Sequence, residues 1–372
     1  MSGVRAEIAS ARRVVVKVGS SSLTGEDGHL DEGRLTLIAD AAASARLAGS
    51  DVVLVTSGSI AAGIGPLGLP ARPRELALQQ AAASVGQGKL IAAYSTAFAR
   101  HGLTVGQVLL TADDMVRRTH YGNAQRALHR LLELGIVPIV NENDTVATDE
   151  IRFGDNDRLA ALVASVVHAD ALVLLTDVDG LHTAAPGTEG ARRLDVVSGP
   201  KDLEGIDVSR RGSHVGTGGM ITKLEAASIA TSSGTPVVLA SAEDATAAIA
   251  GEHVGTLFTS TGKRSATRLT WLKHAAKTHG ALVLDAGAAR AVAGRRASLL
   301  AAGVTGVRGE FEAGDAVEIV GPDGVVVARG LAAFPAHEIP AMLGQSTAEL
   351  KATLGEHFAR PLVHIDDLIV VA

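Results

Sequence analysis

The chain has 372 residues, of which 47% are hydrophobic and only 2% aromatic, and its formal net charge is −6 at pH 7. This length predicts two domains with cores of Ala, Val, Leu and Ile, and the negative charge argues against a primary nucleic-acid binder. Cysteine is absent, which excludes disulfides, thiolate nucleophiles and thiolate zinc sites.

Short apolar segments alternate with longer Ala- and Leu-rich segments through the first 260 residues. The segments that indicate strands are Val14–Val16, Asp51–Val55, Thr104–Leu110, Ile136–Val140, Ala171–Leu175 and Pro236–Leu239. The segments with helical spacing are Arg34–Leu47, Arg74–Arg100, Thr119–Leu134, Asn156–Val167 and Gly219–Ser232. This alternation predicts an α/β fold, an αβα sandwich around a mostly parallel sheet.

The pattern changes beyond residue 260. A polar, basic stretch over 261–279 predicts a linker, and the residues from 280 to 372 read as a small β-rich domain punctuated by glycines. Its strand signals are Ala281–Leu284, Ala316–Ile319 and Val325–Ala328. No apolar run approaches 18 residues, and residues 1–13 lack the apolar centre of a signal peptide, so we expect a cytoplasmic protein without a membrane anchor.

Polar clusters follow the predicted strands of the first domain. Their sequences are KVGSSS, TSGSIAAG, NENDTV and TDVDGL. Turns and helix N-caps use the same residue types, so one such cluster alone has two interpretations. Four of them at the carboxyl ends of parallel strands would share one edge of the sheet, and this favours a ligand site there.

Two lysines belong to these regions. Lys17 ends the first strand, and Lys223 follows the glycine-rich segment GTGGMIT at a predicted helix start. Such a loop suits a polyphosphate, although a solvated lysine on an ordinary helix start explains that segment equally well when it is taken alone. Together the lysines, the glycine-rich loops and nearby carboxylates indicate a phosphoryl-transfer site.

The connection NENDTVATDEIRFGDND, residues 141–157, concentrates amides and carboxylates. Amides can hold the ammonium and the carboxylate of one ligand, whereas carboxylates bind an ammonium, a lysine or magnesium. An amino-acid-like substrate satisfies both.

The strings VVVKVGSSSLT, VTSGSIAAG, ASVGQGKL, GQVLLT, PIVNENDTVAT, FGDNDRLAA, LLTDVDGLHTAAP and GTGGMITKLEAA together resemble the amino acid kinase family. Within it they resemble the branch that phosphorylates the γ-carboxylate of L-glutamate with ATP and Mg²⁺, the first step of proline biosynthesis. The tail from residue 280 resembles a PUA domain, a small β-barrel. The resemblance also implies feedback inhibition by proline, and we expect a homo-oligomer.

Site residues are implied by the same resemblance. The catalytic set would be Lys17, Lys223, Asp157 and Asp155. The glutamate-binding set would be Ser57, Asp144 and Asn156. The ATP-binding set would be Lys17, Gly19, Gly58, Thr176, Asp177, Thr217, Gly218, Gly219, Met220, Ile221, Thr222 and Lys223. No direct protein ligand of magnesium is expected, because the ATP phosphates would hold the ion.

Two alternatives stay open at this point. The chain could be a sibling kinase acting on aspartate, acetylglutamate, carbamate or a nucleotide. The PUA-like tail could instead bind RNA, but seven basic against eleven acidic side chains between 280 and 372 make it a poor partner for a phosphate backbone.

Overall fold

The computed structural model describes residues 2–25, 28–111, 114–115, 117–147, 156–184, 188, 190–206, 219–260, 272, 278–294 and 298–371. The chain forms two compact units, of which the first holds residues 1–115 and 119–265 and the second holds 116–118 and 266–372. The finer boundaries at 260 and 280 stay predictions.

The first unit is built on an eight-stranded sheet with the order β3-β4-β2-β1-β5-β7-β8-β6. Its strands are β1 Arg13–Val18, β2 Asp51–Val55, β3 Val105–Leu110, β4 Val137–Glu142, β5 Ala171–Thr176, β6 Val196–Val197, β7 Val237–Ser241 and β8 Thr256–Phe258. Neighbouring strands are parallel except β7 and β8, which pair antiparallel. The predicted parallel sheet is confirmed.

Helices accompany this sheet. They are α1 Ser2–Ala9, α2 Ser20–Leu23, α3 Glu32–Leu47, α4 Ser59–Ile64, α5 Leu76–Ala99, α6 Arg118–Glu133, α7 Asn156–Val166, α8 Met220–Ser232 and α9 Ala245–Ile249. Helix α3 begins where the Asp31 side chain accepts hydrogen bonds from the backbone N–H groups of Gly33 and Arg34. Consecutive β1 residues from Val14 to Val16 are all buried, because both faces of the sheet are covered.

Helices α4 and α5 pack backbone to backbone. A side chain at Gly63 would place its Cβ 2.0 Å from the carbonyl oxygen of Ala82, and one at Gly86 would place it 1.8 Å from that of Ser59. Only glycine permits this approach. The contact ties α5 to the loop that follows β2, where several predicted site residues lie.

The second unit contains a five-stranded mixed sheet with the order β10-β9-β11-β12-β13. Its strands are β9 Gly280–Leu284, β10 Val304–Gly309, β11 Ala316–Val320, β12 Val326–Leu331 and β13 Leu368–Val370, accompanied by α10 Ala286–Ala293 and α11 Thr347–Thr353. Buried residues such as Leu282, Ile319 and Phe334 form its own core. The β-rich C-terminal domain is therefore confirmed.

Within the described residues, no helix has both the length and the apolar character needed to cross a bilayer.

Candidate active site

Lys17 lies at the carboxyl end of β1, in the middle of the sheet. It pairs in register with Val55 of β2 and Leu174 of β5. Its side chain is only 1% exposed, and its Nζ lies 2.5 Å from Oδ1 of Asp157, which is fully buried. A buried ammonium needs such a partner, because burying an isolated charge is costly.

Asp157 is the second residue of α7, and its other oxygen faces α8. Oδ2 accepts from Nζ of Lys223 at 3.1 Å and from Oγ1 of Thr222 at 3.1 Å. An ion pair between Arg158 and Glu225, which follow Asp157 and Lys223 by one and two residues, joins the same two helices. The first turns of α7 and α8 are thereby fixed against each other and against β1.

The lysine cluster, Lys17, Lys223 and Asp157, carries two positive charges and one negative charge. The excess positive charge suits an anion. Gly19 leaves space beside it, since a Cβ there would lie 3.5 Å from Nζ of Lys17. Gly58 has a φ of 100° at the start of α4, a conformation that favours glycine, so its backbone takes a turn that most side chains would strain.

Asn156 precedes Asp157 and opens a second group of polar contacts. Its Nδ2 lies 2.6 Å from the carbonyl oxygen of Thr56, 3.0 Å from Oγ of Ser57 and 2.8 Å from Oδ1 of Asn141. Asn156 is 7% exposed, and its Oδ1 has no hydrogen-bond partner in the part of the chain that the structure describes. A buried acceptor in this position suits a donor on a ligand.

Asp144 lies in the turn after β4. Its Oδ2 accepts from Oγ of Ser59 at 2.8 Å, so Asp144 is joined to the same loop that carries Ser57. Tyr94 of α5 fixes the loop that follows β2, because its OH lies 2.9 Å from Oγ1 of Thr56. Burial raises the pKa of the Tyr94 hydroxyl, which keeps it protonated.

Thr176 and Asp177 lie at the end of β5, where Oγ1 of Thr176 donates to Oδ1 of Asp177 at 3.0 Å. Both line a cavity of about 340 Å³. The other residues that line it are Ser21, Ser22, Arg34, Leu37, Ile38, Ser241, Ala242 and Glu243. The cavity combines apolar surface with hydroxyl and carboxylate groups, as a pocket for a polar small molecule does.

The remaining predicted residues divide into two groups. Gly219 caps α8, and Met220, Ile221 and Thr222 form its first turn before Lys223. Asp155, Thr217 and Gly218 lie outside the described residues. Among the residues that are described, no group of three or more His, Asp or Glu side chains could hold a metal ion.

Comparisons with known proteins identify the family. The family model described as amino acid kinase family matches residues 12–241, and the PUA domain model matches residues 280–354. The chain belongs to the amino acid kinase family.

Within this family, the chain is similar to proteins named glutamate 5-kinase. One from Streptomyces coelicolor is 58% identical over the full length of both chains. One from Thermobifida fusca is 57% identical over 99% of this chain and 95% of that protein. A solved carbamate kinase from Giardia lamblia, bound to AMP-PNP, has a TM-score of 0.50 at 17% identity and covers 68% of this chain and 99% of its own, which supports the fold alone.

Three polar residues that contact the predicted site residues or each other were not predicted from the sequence, namely Ser59, Gln87 and Asn141. Gln87 and Asn141 bond to each other between α5 and the end of β4, at 2.9 Å, although they are 54 residues apart in the chain. Ser59 could have been recognised in the sequence as the third hydroxyl-bearing residue of TSGS. Asn141 could also have been recognised as the first residue of NENDTV, whereas Gln87 lay in ASVGQGKL, a string that carried the resemblance without indicating a site role.

Proposed function

We propose that this chain transfers the γ-phosphoryl group of ATP to the γ-carboxylate of L-glutamate, giving L-glutamyl 5-phosphate and ADP in the first step of proline biosynthesis. The observation that carries the proposal is the lysine cluster, in which Asp157 holds two ammonium groups at the carboxyl edge of the sheet. A carboxylate oxygen of the substrate forms the new bond to phosphorus as the bond to the β-phosphate oxygen breaks.

The lysines address the main obstacle to this reaction, which is the repulsion between two anions. Lys17 and Lys223 neutralise charge on the phosphoryl group as it moves, and Asp157 keeps their ammonium groups at a fixed separation. Asp155 is a further organising carboxylate in this proposal. The substrate carboxylate is ionised at neutral pH, so a general base is not required.

Glutamate lies, in this proposal, against Ser57, Asp144 and Asn156. The unpaired Oδ1 of Asn156 suits the α-ammonium group of an amino acid, and Asp144 adds a negative charge nearby. ATP lies against Gly19, Gly58, Thr176, Asp177 and the residues 217–223. In this proposal the ATP phosphates hold Mg²⁺, which neutralises part of their charge.

Three further expectations stay predictions. They are proline as a feedback inhibitor, assembly into a homo-oligomer and a cytoplasmic location. The PUA domain model matches residues 280–354, yet the net negative charge of this tail argues against RNA as its ligand.

The decisive assay mixes the purified chain with ATP, Mg²⁺ and glutamate, and traps the acyl phosphate with hydroxylamine. We expect hydroxamate that depends on all three components. Aspartate and acetylglutamate, offered separately at equal concentration, should give much less. Hydroxamate formed faster from either of these than from glutamate would contradict the proposed substrate.

A single substitution tests the proposed glutamate site. Asn156→Ala should raise the KM for glutamate more than the KM for ATP, because the variant removes the amide that faces the amino acid. The reverse result would place Asn156 on the nucleotide side.

A further inference from the structure

Three buried amides form a chain of hydrogen bonds behind the proposed glutamate site. Asn156 donates from Nδ2 to Oδ1 of Asn141, and Asn141 donates from Nδ2 to Oε1 of Gln87. These three side chains are 7%, 1% and 9% exposed, respectively. We refer to Asn156, Asn141 and Gln87 as the amide relay.

The direction of the amide relay is fixed at one end by the backbone. The carbonyl oxygen of Thr56 can only accept, and Asn156 lies 2.6 Å from it, so the atom of Asn156 at this point must be the donor Nδ2. The neighbouring atom of Asn141 must then be its acceptor, and the far atom of Asn141 must be a donor. Gln87 consequently presents Oε1 to Asn141.

Both ends of the amide relay are open among the described residues. Oδ1 of Asn156 and Nε2 of Gln87 are buried without hydrogen-bond partners there. Leaving a buried amide nitrogen unpaired is unfavourable, so the orientation of Gln87 is dictated by Asn141 and not by a partner of its own. At the other end of the amide relay, Oδ1 of Asn156 stays available as an acceptor for a ligand.

Gln87 is also held in place by its backbone. Its neighbour Gly86 packs against Ser59, the first residue of α4, which directly follows the loop with Thr56 and Ser57. Tyr94, two turns further along α5, bonds to Thr56. The helix that carries Gln87 is thus fixed to the loop that sets the direction of the amide relay.

We infer that Gln87 is a positioning residue for glutamate: through Asn141 it holds the amide of Asn156 with Oδ1 facing the substrate, where it accepts from the α-ammonium group. This inference rests on the proposed glutamate site. Without the acceptor of Gln87, Nδ2 of Asn141 has no fixed partner. The Asn141 amide can then turn and withdraw its acceptor, so that Nδ2 of Asn156 keeps only Thr56 and Ser57 and the side chain of Asn156 is held less firmly.

The test replaces Gln87 by methionine, which has nearly the same length and no hydrogen-bonding amide. We expect the KM for glutamate to rise by about three- to tenfold, which corresponds to the loss of one hydrogen bond, while the KM for ATP stays unchanged. The matched control is Gln125→Met on α6. Gln125 donates to the carbonyl oxygen of Val166, at the end of α7 opposite to Asn156, and its loss should leave the KM for glutamate unchanged.

Glutarate distinguishes the loss of one contact to the α-ammonium group from a general distortion of the glutamate site, because it has both carboxylates of glutamate but no ammonium group. Used as a competitive inhibitor, it should bind Gln87→Met as well as it binds the unchanged chain. Equal weakening of glutamate and glutarate would overturn the inference, as would a variant with an unchanged KM for glutamate.

A double-mutant cycle tests the route through Asn141. Asn141→Ala should itself weaken glutamate more than glutarate, which tests the amide relay even if Gln87→Met does not fold. Adding Gln87→Met to Asn141→Ala should change nothing further, and an equal effect in both backgrounds would overturn the route. If Asn156→Ala leaves the KM for glutamate unchanged, the proposed site itself fails. If only Asn156→Ala raises it, the inference alone fails.

Discussion

Lys17 and Asp157 form an ion pair that is almost completely buried, and the second oxygen of the same carboxylate binds Lys223. The two lysines come from β1 and α8, which are about 200 residues apart in the chain. One carboxylate therefore holds two ammonium groups that would otherwise repel each other. The net positive charge of the lysine cluster therefore lies where the proposed reaction brings two anions together.

Lys223 is the better lysine for a kinetic test, because its side chain is 11% exposed and Lys17 is 1% exposed. Lys223→Met keeps the apolar stem and removes the charge. We expect kcat to fall by about a hundred- to a thousandfold if the ammonium acts mainly in the transition state. Steady-state kinetics check this.

The control for that loss is Lys89→Met, at an exposed position of α5, which should keep its kcat. A Lys223→Met enzyme with unchanged kcat would remove Lys223 from the catalytic set.

Asp157→Asn tests the carboxylate as a structural element. The variant leaves the buried ammonium of Lys17 without its counter-charge, and breaking a buried pair in this way costs about 3–5 kcal/mol of the free energy of unfolding. Urea unfolding measures the difference. Glu133→Gln, which breaks the exposed pair with Arg130, should change that free energy by less than about 1 kcal/mol. Equal effects of the two variants would contradict a buried, interdependent cluster.

Much of the first unit could be predicted from apolar runs alone. The strands around Val14, Val53 and Val173 have both faces covered, so each gives a continuous hydrophobic signal. Strands β6 and β8 were missed because they have two and three residues, too few to show any pattern. Helix α4 follows its N-cap Gly58 and has only six residues, so the sequence indicated no more than a helix start within a segment typical of loops.

The site was predictable where chemistry is local and unpredictable where it depends on packing. Lys17, Lys223 and Asp157 stand at strand ends or helix starts, and the structure brings them together. Gln87 lies in ASVGQGKL, one of the strings that carry the resemblance, but no site role could be assigned to it, because its contact with Asn141 is made across the fold. The direction of an amide is set by its neighbours in space, which a linear pattern does not contain.

Gly86→Ala tests whether the close packing of α4 and α5 supports the site. The added Cβ would lie 1.8 Å from the carbonyl oxygen of Ser59 and 2.5 Å from the backbone nitrogen of Gly63, so the helices must separate. We expect a loss of about 1–3 kcal/mol or more in the free energy of unfolding, and a higher KM for glutamate because Ser57 and Ser59 move.

Gly88→Ala is the matched control, two residues further along α5. An added Cβ meets nothing within 4 Å at this position, and alanine is the better helix former by about 1 kcal/mol. This variant should be as stable as the unchanged chain or more so, with the same KM for glutamate. Similar destabilisation by both variants would show that the α4–α5 contact is not the cause.

Asp114 provides a pH-dependent contribution to stability at the end of β3. Its Oδ2 accepts from the backbone N–H and the hydroxyl of Thr111, both at 2.8 Å, and its Oδ1 lies 2.8 Å from Nδ1 of His120. Burial alone would raise the pKa of the Asp114 carboxyl, but these hydrogen bonds outweigh it and hold the pKa below its usual value. A lowered pKa in the folded chain means that the contribution is fully present above the ordinary aspartate pKa of about 3.9 and is lost as the pH falls through the folded value.

Asp114→Asn should therefore lower the free energy of unfolding by about 1 kcal/mol at neutral pH, and this difference should shrink at about pH 3. Urea unfolding at both pH values checks this, with Glu75→Gln as the control, since the Glu75 side chain makes no cap hydrogen bond to α5. A difference between Asp114→Asn and the unchanged chain that is the same at both pH values would show that the carboxylate charge does not stabilise this turn.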